Sequence, residues 1–474
     1  MINFIIFLLT SSKSPVLAAY LSFLIPGGGQ FYTKNYLKGI LIGGFQGYLI
    51  YDFKRIYDLK KEGKIDREEY ERKILSNGII YLMSLIYSVS DAYVSAHFYN
   101  FSKDTILNLS LKKEEKMDRT EKILKDLTEA SGVSGFEEEV REVIKKEFEK
   151  LADDILYDKL GSIIAIKKGE KERPRIGFFA HMDEIGLMVK GFSKGYVKFA
   201  PIGGWWSATL IGQRVKIKNE KGEFYGVIGA TPPHILKKEE AQKLPEIDDL
   251  YIDFGVEEKK FDPQKKLGIK IGDPIVPVSE FKILGNKNIY MAKAFDDRVG
   301  CALLIRTLEE IKNKKIPGTA YFVATVQEEV GLRGATTSPW VFEPDIGIAL
   351  DVSLTEDTPG AKVETEAKLG NGVGIVSLDF TMIAHRKLRD FLIKICEKYK
   401  IKYHLVTVTR GGYDTGKVHL FKEGVPSCII GIPSRYVHGF NSMIHRKDFD
   451  NALNLCVNFL KEFDEKKLKE ITSY

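Results

Sequence analysis

Two kinds of hydrophobic pattern follow one another along the chain. From residue 117 the apolar positions first recur with a helical period, at Ile123, Leu124 and Leu127 and then at Val140, Val143, Ile144 and Phe148. Short unbroken apolar runs follow, at 176–180, 319–326, 346–350 and 428–432, with helical stretches between them. One of these opens at Asp296-Asp297 and keeps Cys301, Leu304, Ile305 and Leu308 on one face. Alternation of this kind predicts an α/β fold. Before residue 117 the pattern is coarser. Windows 14–33, 39–51 and 74–90 carry no charge, and 52–73 between the last two is dense in both signs. A membrane span needs about 20 mostly apolar residues. The first and third windows meet this, and the second meets it if Lys38 snorkels. Aromatic residues crowd the window edges (Phe31, Tyr32, Tyr48, Tyr51, Phe98, Tyr99), as at a membrane interface. Residues 1–116 are therefore expected to form an α-helical membrane module and linker.

Charge sharpens that division. The net charge is +6 over 474 residues, too mild to imply a nucleic-acid partner. Residues 1–116 hold 15 basic and 11 acidic groups, net +4, and the remaining 358 are almost neutral. Four cysteines lie far apart with no CxxC pair, which argues against a zinc ribbon or a secreted disulfide scaffold. The run PGGGQFY (26–32) resembles small bacterial two-span membrane modules. Lys113-Glu114-Glu115-Lys116 ahead of Met117 reads either as a charged linker or as the join of two fused genes.

The candidate chemistry sits where the apolar runs stop. Run 176–180 meets His181-Met182-Asp183-Glu184, run 319–326 meets Gln327-Glu328-Glu329, run 346–350 meets Asp351, and run 428–432 leads to His438. Ligands of open α/β sheets bind beyond the carboxyl ends of the strands. Imidazoles and carboxylates without thiols suit a catalytic divalent site for zinc, cobalt or manganese. Each acid taken singly is equally well a helix cap or a loop residue, Asp296 included. Neighbours at a strand end point to opposite sides, so one of Glu328 and Glu329 would bind metal while the other faces a substrate water.

Five motifs in order, AHMDEIG (180–186), KAFDDRVG (293–300), QEEVGLRGA (327–335), ALDV (349–352) and PSRYVH (433–438), resemble the tetrahedral (TET) aminopeptidase family. The resemblance runs from about residue 117 to the C-terminus. It implies a three-layer α/β/α di-metal aminopeptidase domain, of the phosphorylase/hydrolase-like type, formed by 117–190 and 291–474. It also implies an inserted β-rich, PDZ-like or barrel domain at 191–290. Two divalent ions per subunit, zinc or cobalt, are implied, with Asp296 bridging. His181 and Asp351 would complete one site, Glu329 and His438 the other. Glu328 matches the general base, and Asp183 matches the acid that orients His181. The implied activity is removal of N-terminal residues from short peptides. The implied assembly is a homo-oligomer, a dodecamer or a dimer-based form. The expected setting is a cytoplasmic catalytic part in membrane contact through residues 1–116. GGYDTG (411–416) departs from the family's usual GGTDAG and puts Tyr413 near the substrate side chain. The rivals are an endoglucanase-like glycoside hydrolase and a catalytically inactive membrane-anchored scaffold.

Overall fold

A computed structural model describes residues 13–111, 117–239, 242–257, 260–361 and 365–473. The chain divides into two units, Met1–Lys116 and Met117–Tyr474. The junction 112–116 and the first twelve residues lie outside the described residues.

The first unit is helical, with helices Pro15–Leu24, Gly28–Tyr32, Tyr36–Lys61 and Arg67–Leu111. The uncharged window 14–33 is not one continuous helix. It breaks at Pro26 and at Gly27, whose φ of +73° is left-handed. The ten residues of Pro15–Leu24 rise about 15 Å, half of the ~30 Å hydrocarbon core. Among the described residues one helix is long and apolar enough to cross a membrane, Arg67–Tyr99. The expectation of two or three spans is corrected on this point.

The PGGGQFY run knots this unit together. A Cβ on Gly29 would lie 2.1 Å from the Ala18 carbonyl oxygen and 2.5 Å from Ala92 Cβ, so only glycine lets these helices approach. The buried Gln30 side chain donates to the Ser88 carbonyl (2.8 Å) and to Asp91 (3.2 Å), and accepts from Ser22 Oγ (3.0 Å). Asp91 also pairs with Lys38 at 2.8 Å.

The second unit is built on an 11-stranded mixed sheet. Its centre is four parallel strands in the order Thr319–Thr325, Arg175–His181, Ile346–Leu354 and Ser427–Arg435. Successive side chains serve opposite faces. Phe178, Ala180, Phe322 and Ala324 enter one core with helices Arg119–Glu129, Glu138–Leu151, Phe295–Ile311 and Arg446–Glu462. Phe179, Tyr321 and Val323 enter the other with Phe342, Val418 and Phe421. Burial on both faces explains why these strands read as unbroken apolar runs. Phe178 and Phe179, back to back and fully buried, each contribute roughly 1.5–3 kcal/mol.

The chain leaves this sheet after His181 and builds a closed six-stranded barrel from Gly186–Ser193, Tyr196–Ile202, Arg214–Asn219, Gly222–Gly229, Tyr251–Asp253 and Pro274–Pro277. Inward residues Leu187, Val197, Phe199, Val215, Ile228 and Ile252 fill it. It returns through Lys282–Ile283 and Ile289–Ala292, which already belong to the large sheet.

Candidate active site

The four parallel strands run in register, with Thr325 opposite His181 and Asp351 opposite Gly431. Their carboxyl ends therefore bring their side chains to one edge. His181 ends its strand and turns Nε2 to Asp296 Oδ1 at 3.0 Å. Its Nδ1 faces the backbone oxygen of Asp183 at 3.1 Å, and Oδ1 of the same residue at 3.5 Å. His438, past the fourth strand, places Nε2 3.2 Å from Asp296 Oδ2 and 3.2 Å from Glu329 Oε2. One carboxylate, Asp296, thus faces both imidazoles. Glu328 Oε2 lies 3.7 Å from His181 Nε2.

Three overlapping groups have donor atoms within 4.8 Å of one another: His181, Glu328 and Glu329; His181, Asp297 and Asp351; and Asp296, Glu329 and His438. The structure brings all six of His181, Asp296, Glu328, Glu329, Asp351 and His438 to one cluster, with Asp183 behind it.

Two local expectations change. Asp351 is not at a strand end, because its strand continues to Leu354. Glu328 and Glu329 do not diverge across a strand. The strand stops at Thr325, and Gln327 takes a left-handed φ of +56°. Asp183 then gathers the next turn: Oδ1 accepts from Glu328 N (3.0 Å), and Oδ2 accepts from Glu329 N (3.2 Å) and Ser134 Oγ (2.6 Å). Both glutamates accordingly face the cluster.

Charge crowding dominates the electrostatics. Burial, and then neighbouring charge, pushes the carboxyls of Glu328, Glu329, Asp351 and Asp297 above the usual range. Burial acts against both imidazoles, yet the surrounding carboxylates raise His181 well above its ordinary value and His438 to about 11. Asp296, although buried, is held low by the two imidazoles. Asp183 is held low, against its burial, by His181, Ser134 and the glutamate-loop amides. Buried Glu329 Oε1 has no hydrogen-bond partner among the described residues. An excess of buried carboxylate with an unpaired oxygen, in a hard nitrogen and oxygen donor set, fits divalent cations.

Several supporting residues were not anticipated. Ser134 and Asp414 are among them. Asp414 is buried and accepts from Thr325 Oγ1 at 2.5 Å. Asp297 takes the amides of His181 and Gly300, at 3.2 and 2.9 Å, and so fixes the helix start beneath Asp296. The GGWW run (203–206) reaches the site too. A Cβ on Gly204 would sit 3.1 Å from His438 Nδ1, and one on Gly203 3.3 Å from Glu329 Oε2. Trp205 packs on Phe440 and donates to the Gly186 carbonyl at 2.8 Å, whereas Trp206 is exposed. The long separation of these residues hid them, although paired glycines before a tryptophan were a visible signal. A cavity of about 620 Å³ opens over the cluster, bounded by Leu332, Leu354, Val408, Arg410, Tyr413 and Lys417 among others.

Comparison with known proteins agrees with this geometry. The sequence profile described as M42 glutamyl aminopeptidase matches residues 161–455. The lysyl aminopeptidase of Pyrococcus furiosus is 32% identical over 345 residues, covering 72% of this chain and 96% of that protein. A TET aminopeptidase structure from the marine sediment archaeon Thaumarchaeota archaeon SCGC AB-539-E09 superposes with a TM-score of 0.73 at 40% identity, over 75% of this chain and all of that one. The TET1 peptidase of Pyrococcus horikoshii, described as able to assemble into a tetrahedron or a large octahedral shell, gives 0.65 at 32% identity, over 73% of this chain and all of that one. The unit Met117–Tyr474 thus matches relatives along their full length, and the chain belongs to the M42 aminopeptidase family, as a metal-dependent aminopeptidase.

Proposed function

We propose that this aminopeptidase works on short peptides with two divalent ions, zinc or cobalt. His181 and Asp351 would hold one ion, Glu329 and His438 the other, and Asp296 would lie between them. The observation that supports this best is the single Asp296 carboxylate facing both imidazoles, at 3.0 and 3.2 Å. Bound there, the ions would supply Lewis-acid polarisation of the scissile carbonyl and a water of lowered pKa. Glu328 is the general base: it takes the proton of the attacking water and returns it to the leaving amine. Its raised carboxyl suits a group that must carry that proton for a moment. Asp183 positions His181 and the Glu328 loop without touching substrate.

Glu328→Gln tests this reading. The variant should lose about 10²–10⁴ in kcat, the worth of a general base, while elemental analysis still finds both ions. Near-normal turnover would remove Glu328 from the role.

A second reading concerns the first unit, and its surface favours it. Val16, Leu37, Ile40, Leu41, Leu82 and Met83 each expose more than half of their area, and the long helix Arg67–Tyr99 carries Ile79, Ile80, Ile86 and Tyr87 outward as well. So much exposed aliphatic surface is unstable in water. We infer that this unit contacts a bilayer and tethers the catalytic unit on the cytoplasmic side, where four free buried cysteines suit a reducing compartment. The full chain should float with liposomes and residues 117–474 should not; equal behaviour of the two would refute the tether. The likeness to the TET1 peptidase supports a homo-oligomer, dimer-based or dodecameric.

A further inference from the structure

The family includes both glutamyl and lysyl names, so membership leaves open which side chain this chain accepts. The cavity wall speaks to it. Its inner end is the cluster of Asp296, Glu328, Glu329, Asp351 and His438. On the remaining wall, the only charged side chains among the described residues are Arg410 and Lys417. Both are exposed, and neither forms an ion pair with another described residue. They place positive charge on the outer wall of a cavity whose acids are all gathered at its inner end, where the anionic group of a bound ligand would be drawn.

The backbone that carries them is tied down. Phe380 N donates to the Gly411 carbonyl at 3.1 Å, and Val408 N to the Leu378 carbonyl at 2.8 Å, which ties down the backbone on both sides of Arg410. Gly411 takes φ +85°, and a Cβ on Gly412 would collide with Thr381 Cγ2 at 2.5 Å, so the turn between the two cations depends on its glycines. Lys417 follows on a short helical turn whose amides bond to Asp414. Buried Tyr413 lies between them in sequence and lines the same cavity. Leu354, Val408 and Val437 make the rest of the wall apolar, so the acids of the cavity are those of its inner end.

We propose that Arg410 and Lys417 form a carboxylate subsite of this cavity and determine which peptides the enzyme prefers. This rests on the aminopeptidase reading of the adjoining cluster. The ligand chemistry is a substrate carboxylate. It has two sources in a short peptide: the side chain of an N-terminal aspartate or glutamate, or the terminal carboxylate of a dipeptide. A lysyl or arginyl first residue is disfavoured by like charge.

The test uses the full-length metal-loaded enzyme and two pairs of substrates. Glutamyl against glutaminyl p-nitroanilide isolates the side-chain carboxylate. Leu-Gly against Leu-Gly amide isolates the terminal one. Wild type should favour the charged member of at least one pair by about tenfold or more in kcat/KM. Arg410→Met with Lys417→Met should bring that ratio close to one. Because both members are read in one preparation, a general loss of active enzyme cancels. Preference in the first pair assigns the first residue, and in the second pair the dipeptide terminus. No preference in either pair, or a preference that survives removal of both cations, overturns the subsite while leaving the aminopeptidase intact. An enzyme silent on all four substrates with zinc and with cobalt would instead overturn the parent reading and this one with it.

Discussion

Two polar clusters of the molecule, one in each unit, are opposites. In the first unit Gln30, Ser22, Ser88, Asp91 and Lys38 satisfy one another: the amide donates twice and accepts twice, and the one carboxylate meets the one amine. In the second unit the cluster of His181, Asp296, Glu328, Glu329, Asp351 and His438 carries more carboxylate than its imidazoles can balance, and it leaves Glu329 Oε1 unpaired. A closed network holds helices together and needs nothing further. An over-charged one must take up cations or protons, and so it marks a candidate site of chemistry. Burial alone does not separate the two; the charge ledger does. The contrast can be broken or sharpened by substitution, and the expected effects fall from the second cluster to the first.

The largest effect after loss of the general base is expected at Asp183. Its two oxygens accept from Glu328 N, Glu329 N and Ser134 Oγ, and its charge lies beside the His181 ring. Asp183→Asn replaces one acceptor oxygen by an amide NH2, which can only donate. The Ser134 hydroxyl can rotate to accept from it, but a backbone N–H of the glutamate loop cannot. A 10–100-fold fall in metal affinity or kcat/KM should follow, the usual worth of a residue that orients ligands. Metal titration and steady-state kinetics together check it. Unchanged values in both would mean that the loop is held elsewhere.

A smaller effect lies one step further out, at Glu137. It is buried, it accepts from the amides of Gly135 and Gln327, and burial with the charge of Asp183 raises its carboxyl to about 7. An unfolded glutamate titrates near 4.3. Between that value and about 7 the folded chain binds the extra proton, so this residue makes stability fall as pH rises through the window and leaves it level above. Glu137→Gln should flatten that fall. The comparison is the melting temperature of variant and parent between pH 4.5 and 7.5, and parallel curves would refute the assignment.

How much of this was legible without coordinates depends on distance along the chain. The four apolar runs and the charged residues that follow them could be read directly, because a strand buried on both faces advertises itself and a charge beside it is conspicuous. The same logic misplaced Asp351. A charge read as the end of a run sits inside a strand that continues through Val352 and Ser353, both buried. It also misjudged Glu328 and Glu329, since strand alternation does not apply past the left-handed Gln327. Ser134, Asp414 and Gly204 reach the site from segments far away in sequence, and no local period records such contacts. Window 14–33 failed for the reverse reason. Its hydropathy is uniform, but Pro26 and the three glycines after it turn the chain.

The smallest effect belongs to the closed cluster, and it is the sharper half of the contrast because it should leave catalysis untouched. Gln30→Ala removes the donor to the Ser88 carbonyl and to Asp91, and the acceptor of Ser22 Oγ and Ser88 Oγ. The groups left behind are buried: Ser22 and Ser88 have no exposed area. Unmade hydrogen bonds at buried neutral groups cost about 1–3 kcal/mol, and the void adds to this. Gln30→Glu, close in shape, should be no better, because it puts a second carboxylate within reach of Asp91 and turns a balanced network into an over-charged one, the condition of the other cluster without its imidazoles. Limited proteolysis of the first unit in detergent should show faster cleavage in both variants, with kcat/KM on aminoacyl p-nitroanilides unchanged. A fall in kcat/KM matching the rise in cleavage would mean that the two clusters are coupled, and that the first is more than a clasp.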